Sequence, residues 1–236
     1  MKKSYFNSVL FPPTFMSTIS LTHLDAYITS KGLLTHYFYE QKWNNGELTN
    51  DELALYAKEY FHLVKAVPGI VSRVKTRAAE RGMTELVGEI EKNVKEETEH
   101  IELWKRFAST LGVSEKDLET YEPHNLTKEA VSELEELAEG SLEDGVTAMY
   151  AMELTLPAIS ETKKDGLCKH YEMPESNKDA HAYFDEHLNE EEHFSVWRQI
   201  QVDPVRAMQI TKSSLHAQHK VLDGVCEVSG FCISCG

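Results

Sequence analysis

Three stretches of the chain carry glutamate and histidine at helical spacing. They are Glu96-Glu97-Thr98-Glu99-His100, the isolated Glu153 in Ala151-Met152-Glu153-Leu154-Thr155-Leu156, and His187-Leu188-Asn189-Glu190-Glu191-Glu192-His193. Residues three or four apart on an α-helix share a face. Glu97 with His100 and Glu190 with His193 therefore form two ExxH pairs, the plan by which helical bundles hold two iron or manganese ions. Imidazole plus carboxylate suits those metals, and no cysteine lies among the candidates to favour zinc or a cluster. Glu153 carries the most weight, as the only charged residue between Gly145 and Ser160. An ionised carboxylate in so apolar a helix is costly without a cation or several donors. From a third helix it would bridge two metals, with His187 completing the shell of one. A salt bridge to an arginine is the competing reading for Glu153, and a plain solvent face is the competing reading for each glutamate-rich run. Glu96 stays open as an alternative to Glu97, and Glu191 as an alternative to Glu190. His187 and His193 lie six apart, about 120° around an ideal helix. All three residues of the last stretch converge only if that helix is irregular or one histidine is not a ligand.

The elements that must position these residues read as helical nearly throughout, with apolar positions recurring at three and four residues and no sustained alternation. A first helix is expected from about Leu21 to Trp43, stopped by Asn44-Asn45-Gly46. Thr49-Asn50-Asp51-Glu52 has capping-box form and opens a second, which Pro68 should break to start a third ending near Gly82. A long helix follows from about Thr84 to Leu111, then a short one capped by Ser114 and another over about Lys128 to Ala138. The helix holding Glu153 begins near Ser141, with Pro157 as its kink. Another runs from about Asn177 to Gln201, and Asp203-Pro204 opens the last, which fades at Gly224. This predicts one all-α helical bundle over residues 18–225, a flexible N-terminal arm over 1–17 and a cysteine-containing tail over 226–236.

The sequence has 236 residues, 41% hydrophobic and 27% charged, enough apolar content for a core and not the composition of a disordered chain. A net charge of −15 argues against nucleic acid and against an anionic membrane surface. No apolar run reaches the length of a membrane span, and Met1 to Ser17 lacks a signal core. The expectation is a cytoplasmic protein. Of four cysteines, Cys168 is isolated, while Cys226, Cys232 and Cys235 crowd the end. The Cys232-Ile233-Ser234-Cys235 spacing is a redox or metal type of weak specificity when alone.

The chain resembles the family of the Chlamydia protein associating with death domains (CADD), within the heme-oxygenase-like superfamily that includes TenA and PqqC. The resemblance runs from about Leu34 to the C-terminus. It is carried by Lys42-Trp43 with Gly46-Glu47-Leu48-Thr49, by Tyr56-Ala57-Lys58-Glu59-Tyr60, and by His100-Ile101-Glu102-Leu103-Trp104-Lys105-Arg106-Phe107 followed by Leu111-Gly112-Val113. Glu153 ahead of Pro157, Ala182-Tyr183-Phe184 ahead of Glu186-His187, and the CxxC tail complete it. The resemblance implies a seven-helix, usually homodimeric fold with a dinuclear site of Fe, or Fe and Mn, that uses O2 and an external reductant. In the family's first ligand pair the Glu lies seven before the His, a position that here holds Asn93. Glu97 transfers by the ExxH pattern of related metallo-oxidases, and Glu153 matches the bridging glutamate directly. The last family motif is one residue shorter here, with Glu in place of Asp.

Members of this family look like 4-aminobenzoate synthases that consume their own side chains. The tyrosine that supplies the ring matches Tyr39 in His36-Tyr37-Phe38-Tyr39, with Tyr37 the weaker candidate, and the lysine that supplies nitrogen matches Lys163. Without the resemblance, a helical tyrosine reads as core and a lysine as solvent-facing. Cys232 and Cys235 are candidates for delivering reducing equivalents, an uninvolved tail being the plainer reading. Two other functions compete. A TenA-like hydrolase needs a nucleophilic cysteine, which that family carries where this chain has Met152-Glu153. An interaction module with a vestigial metal site needs a protein partner, and no residue here identifies one.

Overall fold

The computed structural model describes residues 14–188 and 191–231, with side chains over 22–188 and 194–231. Element order is α1 (Thr14–Lys31), a 3-10 turn (Leu33–Thr35), a π-helical segment (Phe38–Trp43), α2 (Asn50–Glu80), α3 (Thr84–Thr110), α4 (Glu115–Thr120) and α5 (Asn125–Glu139). There follow α6 (Leu142–Glu153), α7 (Leu156–His170), α8 (Lys178–Glu186), α9 (Glu191–Trp197) and α10 (Pro204–Val228). No strand occurs among the described residues, so the all-α expectation holds. None of their helices is long and apolar enough to cross a membrane.

The expected count of seven helices is corrected to ten α-helices among the described residues. The predicted helix from Leu21 to Trp43 begins earlier, at Thr14, and breaks at Gly32, whose φ of −71° and ψ of 179° are extended. The predicted helix from Asn177 to Gln201 is interrupted after Glu186 and resumes at Glu191. Pro157 does more than kink its helix: α6 stops at Glu153, and α7 starts with the proline in its first turn. Conversely, Pro68 lies inside an unbroken α2. Val64, Ile70 and Val71 around it are buried, and that packing outweighs the roughly 3 kcal/mol an interior proline costs.

Helix starts follow local chemistry. Thr49 with Glu52, Ser114 with Asp117 and Ser141 with Asp144 all form reciprocal capping boxes, each worth about 0.5–2 kcal/mol. The Asp203 carboxylate accepts from the amides of Val205 and Arg206 and opens α10. The imidazole of His124 caps α5, which therefore starts ahead of the predicted Lys128.

Helix α2 packs against α3 and α5, α10 lies across α5 and α6, and α8 covers α3. The buried apolar residues form two clusters. One gathers α1, α5, α6 and α10 side chains around Val71, Leu134 and Val146. The other is aromatic, built from the π-helical segment, α2, α3 and α8 around Trp43, Tyr56, Trp104 and Phe107. Each fully buried side chain of this size contributes about 1.5–3 kcal/mol. The buried polar residues Glu97, His100, Glu153 and His187 occupy the seam between the clusters.

Candidate metal centre and aromatic box

A cavity of about 40 Å³ opens at that seam, lined in part by Glu97, Glu153, His187, Tyr60, Tyr183 and Met152. It holds a few water-sized bodies, too little for a ring-sized substrate. Its lining contains no cysteine, so the thiol a TenA-like hydrolase requires has no counterpart here.

Helix α3 presents Glu97 and His100 on one face, with the imidazole Nδ1 3.2 Å from a Glu97 carboxylate oxygen. Glu96 is exposed, whereas Glu97 is buried, so the neighbouring alternative faces away. His187 follows the last turn of α8, and its ring meets that of His100 edge-on at 4.4 Å between centroids. Tyr183, one turn earlier, packs its ring against both histidines. Glu153 is only 2% exposed and is the last residue of α6. The Trp197 indole N–H donates to one of its oxygens, and the Asn93 amide lies 3.5 Å from the other. Arg198 pairs with Asp25 and the Tyr150 hydroxyl rather than with Glu153.

The structure thus brings Glu97, His100, Glu153 and His187 together from α3, α6 and the end of α8. Glu190 and the side chains of Glu191 and His193 lie outside the described residues, as do Cys232 and Cys235. The interruption after Glu186 is the irregularity that a shared role for His187 and His193 demands. Glu97, Glu153 and His187 at the cavity, with His100 beside Glu97 and His187, have the donor chemistry of an iron or manganese site. Among the described residues no trio of His, Cys, Asp or Glu is tight enough to cage an ion. A closed shell needs further donors.

Tyr39 and Lys163 do not line the cavity. They meet in the aromatic cluster, where Lys163 is 1% exposed and its amine has no hydrogen-bond partner. Four rings surround that nitrogen: Tyr56 at 3.7 Å to the ring centre, Trp43 at 3.8 Å, Phe38 at 4.7 Å and Tyr39 at 4.8 Å. Burial holds the Lys163 amine well below its ordinary 10.5. Ring faces favour a cation by about 0.5–2 kcal/mol each. Removing an ammonium from water costs several kcal/mol, and desolvation prevails. Burial also pushes Tyr39 and Tyr56 well above 10.0, and Tyr60 up to about 12. Tyr37 is only partly buried and is absent from the rings around the amine.

Local sequence explains how the box closes. Trp43 ends the π-helical segment, and its indole donates to the Thr162 carbonyl at 3.2 Å. It approaches α7 at Gly166, where a Cβ would stand 2.2 Å from the indole nitrogen. Phe38, Trp43 and Tyr56 are the box residues to which the sequence alone assigns no role. Their signal was present only as part of a motif of resemblance. Rings of Tyr56, Tyr60 and Trp104 pack tilted or edge-to-face against one another at 5.3–5.7 Å between centroids, from the box to the cavity wall.

The sequence profile of the TENA/THI-4/PQQC family matches residues 24–228. A protein of Chlamydia muridarum named 4-aminobenzoate synthase is 37% identical over 171 residues, covering 71% of this chain and 70% of its own. Among solved structures, a CADD-like protein of Nostoc punctiforme superposes with a TM-score of 0.70 at 17% identity, over 90% of this chain and 97% of that one. A domain from Shewanella denitrificans described as having a heme oxygenase-like fold gives 0.63 at 15% identity, over 97% of each chain. The two structural likenesses establish the fold.

Proposed function

The chain belongs to the TENA/THI-4/PQQC family, and from that premise we propose that it is an oxygen-dependent 4-aminobenzoate synthase that consumes its own side chains. Tyr39 supplies the ring and Lys163 the nitrogen. The observation that carries this reading is the box itself. A lysine amine without a partner is buried over tyrosine faces, an arrangement that costs stability. The small cavity supports an internal substrate over an external one.

Glu97, His100, Glu153 and His187, together with Glu190 and His193, would hold two transition-metal ions, either Fe alone or Fe with Mn. When bound, they supply oxygen activation, with electrons from an external reductant. The chain's own residues do the rest. Burial favours the neutral form of the Lys163 amine, whose lone pair can serve as a nucleophile. The four rings hold that nitrogen 4.8 Å from the centre of the ring it is to join, which replaces an encounter between molecules. The same walls exclude water that would compete for an oxidised ring. The Trp197 indole orients the Glu153 carboxylate.

The test is intact-mass and peptide mass spectrometry of protein loaded with iron and manganese, before and after exposure to O2 and reductant. Loss of mass at Tyr39 and at Lys163, with 4-aminobenzoate released, is the expected result. Release of 4-aminobenzoate from chains of unchanged mass would mean an external substrate and would sink the self-consuming reading.

A further inference from the structure

We propose, building on the reading that Tyr39 is consumed, that His36 and Asp223 act as a positioning pair that sets the π-helical turn so that Tyr39 faces Lys163. Neither side chain lines the cavity or stands among the rings around the Lys163 amine. Both act on the backbone that precedes Tyr39.

A π-helix is rare and holds its first amides poorly, because its wider turn leaves more of them unpaired. Here the His36 carbonyl accepts from Tyr39 at 2.9 Å and from Glu40 at 3.0 Å. The His36 side chain takes the next donor: its Nδ1 accepts the Phe38 amide at 3.1 Å. An Nδ1 that accepts carries no proton, so the ring proton must sit on Nε2. The Asp223 carboxylate stands 3.0 Å from Nε2 to receive it. Asp223 thereby selects the one tautomer that can cap the turn.

The partner helix grips this connection twice. His219, one turn before Asp223 on α10, meets His36 edge-on at 5.4 Å and donates to the Lys31 carbonyl at 3.0 Å. At the other end, Trp43 is tied by Thr162 and by the Tyr171 hydroxyl, which donates to the Trp43 carbonyl at 3.1 Å. The capped amide belongs to Phe38, whose ring stacks on Tyr56 beneath Lys163. Rotating that turn would carry Phe38 and Tyr39 off the amine together.

The experiment compares His36→Ala, His36→Asn and Asp223→Ala in the full chain loaded with iron and manganese. Asp223 has 39% of its side chain exposed, so its loss spares the core if His36→Ala fails to fold. Two readouts are taken: hydrogen exchange by mass spectrometry over residues 37–43, with α5 as internal reference, and 4-aminobenzoate released per chain. His36→Ala and Asp223→Ala should speed exchange over 37–43 alone and cut release by about tenfold or more. His36→Asn keeps a side-chain oxygen able to cap Phe38 and should restore both. Unchanged exchange over 37–43, or a loosened turn with undiminished release, would overturn the pair's role. If the parent protein itself releases nothing, the proposed function fails. The exchange data then decide the pair alone, with unaltered protection overturning it and local loosening rescued by His36→Asn sustaining it.

Discussion

Replacing Lys163 with methionine should stabilise the protein and abolish one component of its pH dependence. Methionine matches the length of the aliphatic stem and needs no hydrogen-bond partner. Relief of an unpartnered buried amine is worth about 1–3 kcal/mol at neutral pH. The sign of the pH effect follows from the depressed amine. Between its folded value and 10.5, the unfolded chain carries a proton on Lys163 and the folded chain does not. Stability of the parent must therefore rise with pH through that window, by up to about 1.4 kcal/mol per unit, and level off above 10.5 where both states are neutral. Tyr60 and Cys226, both raised to about 12 by burial, work in the opposite direction at alkaline pH, since the unfolded chain loses their protons first. They are shared by parent and variant and cancel in the difference. The assay is urea unfolding of both proteins at intervals from about pH 6 to pH 10. The stability gap should be widest at the acid end and close as pH rises. Parallel curves, or a variant less stable than the parent throughout, would refute a neutral, unsolvated amine and with it the nucleophile.

Gly166→Ala should destabilise by about 1–3 kcal/mol despite alanine's better helix propensity, because its Cβ meets the Trp43 indole at 2.2 Å; a thermal midpoint at or above the parent's would contradict this. Glu153→Gln should lower bound iron and manganese well below the parent's, measured by elemental analysis of the purified protein, and full retention would remove Glu153 from the site. Trp197→Phe removes the indole donor from Glu153 and should weaken metal affinity by about 10–100-fold, read by competition with a chelator; an unchanged affinity would make that contact incidental.

Helix starts were legible because caps are local. Thr49, Ser114, Ser141 and Asp203 each sit beside the amides they satisfy. Breaks were harder to read. Pro68 was expected to end a helix and does not, because buried residues on both sides of it decide the matter. Gly32 gives no such sign, because nothing in its neighbours marks the turn that follows as π-helical. In the site, Glu153 stood out as a lone charge among apolar residues, and it is indeed buried. Lys163 carried no such mark. Its flanking residues are Thr162 and Lys164, polar on both sides, and its burial arises only when Phe38, Tyr39, Trp43 and Tyr56 arrive from distant segments. Resemblance singled it out where composition and spacing could not.

The depth of Tyr39 has a consequence for the life of the molecule. It is 1% exposed and ranks among the largest fully buried side chains of the aromatic cluster. If its ring leaves with the product, a void of aromatic size stays behind, and such losses cost about 3–5 kcal/mol. Typical domains hold only about 5–15 kcal/mol in total. A spent chain would then be a fragile chain, recognised by proteases through its own lost packing. On the proposed self-consuming reading, product would be limited to one molecule per polypeptide, and release of the product would itself weaken the spent chain. Tyr39→Gly mimics that spent state, and a melting temperature equal to the parent's would dismiss the idea.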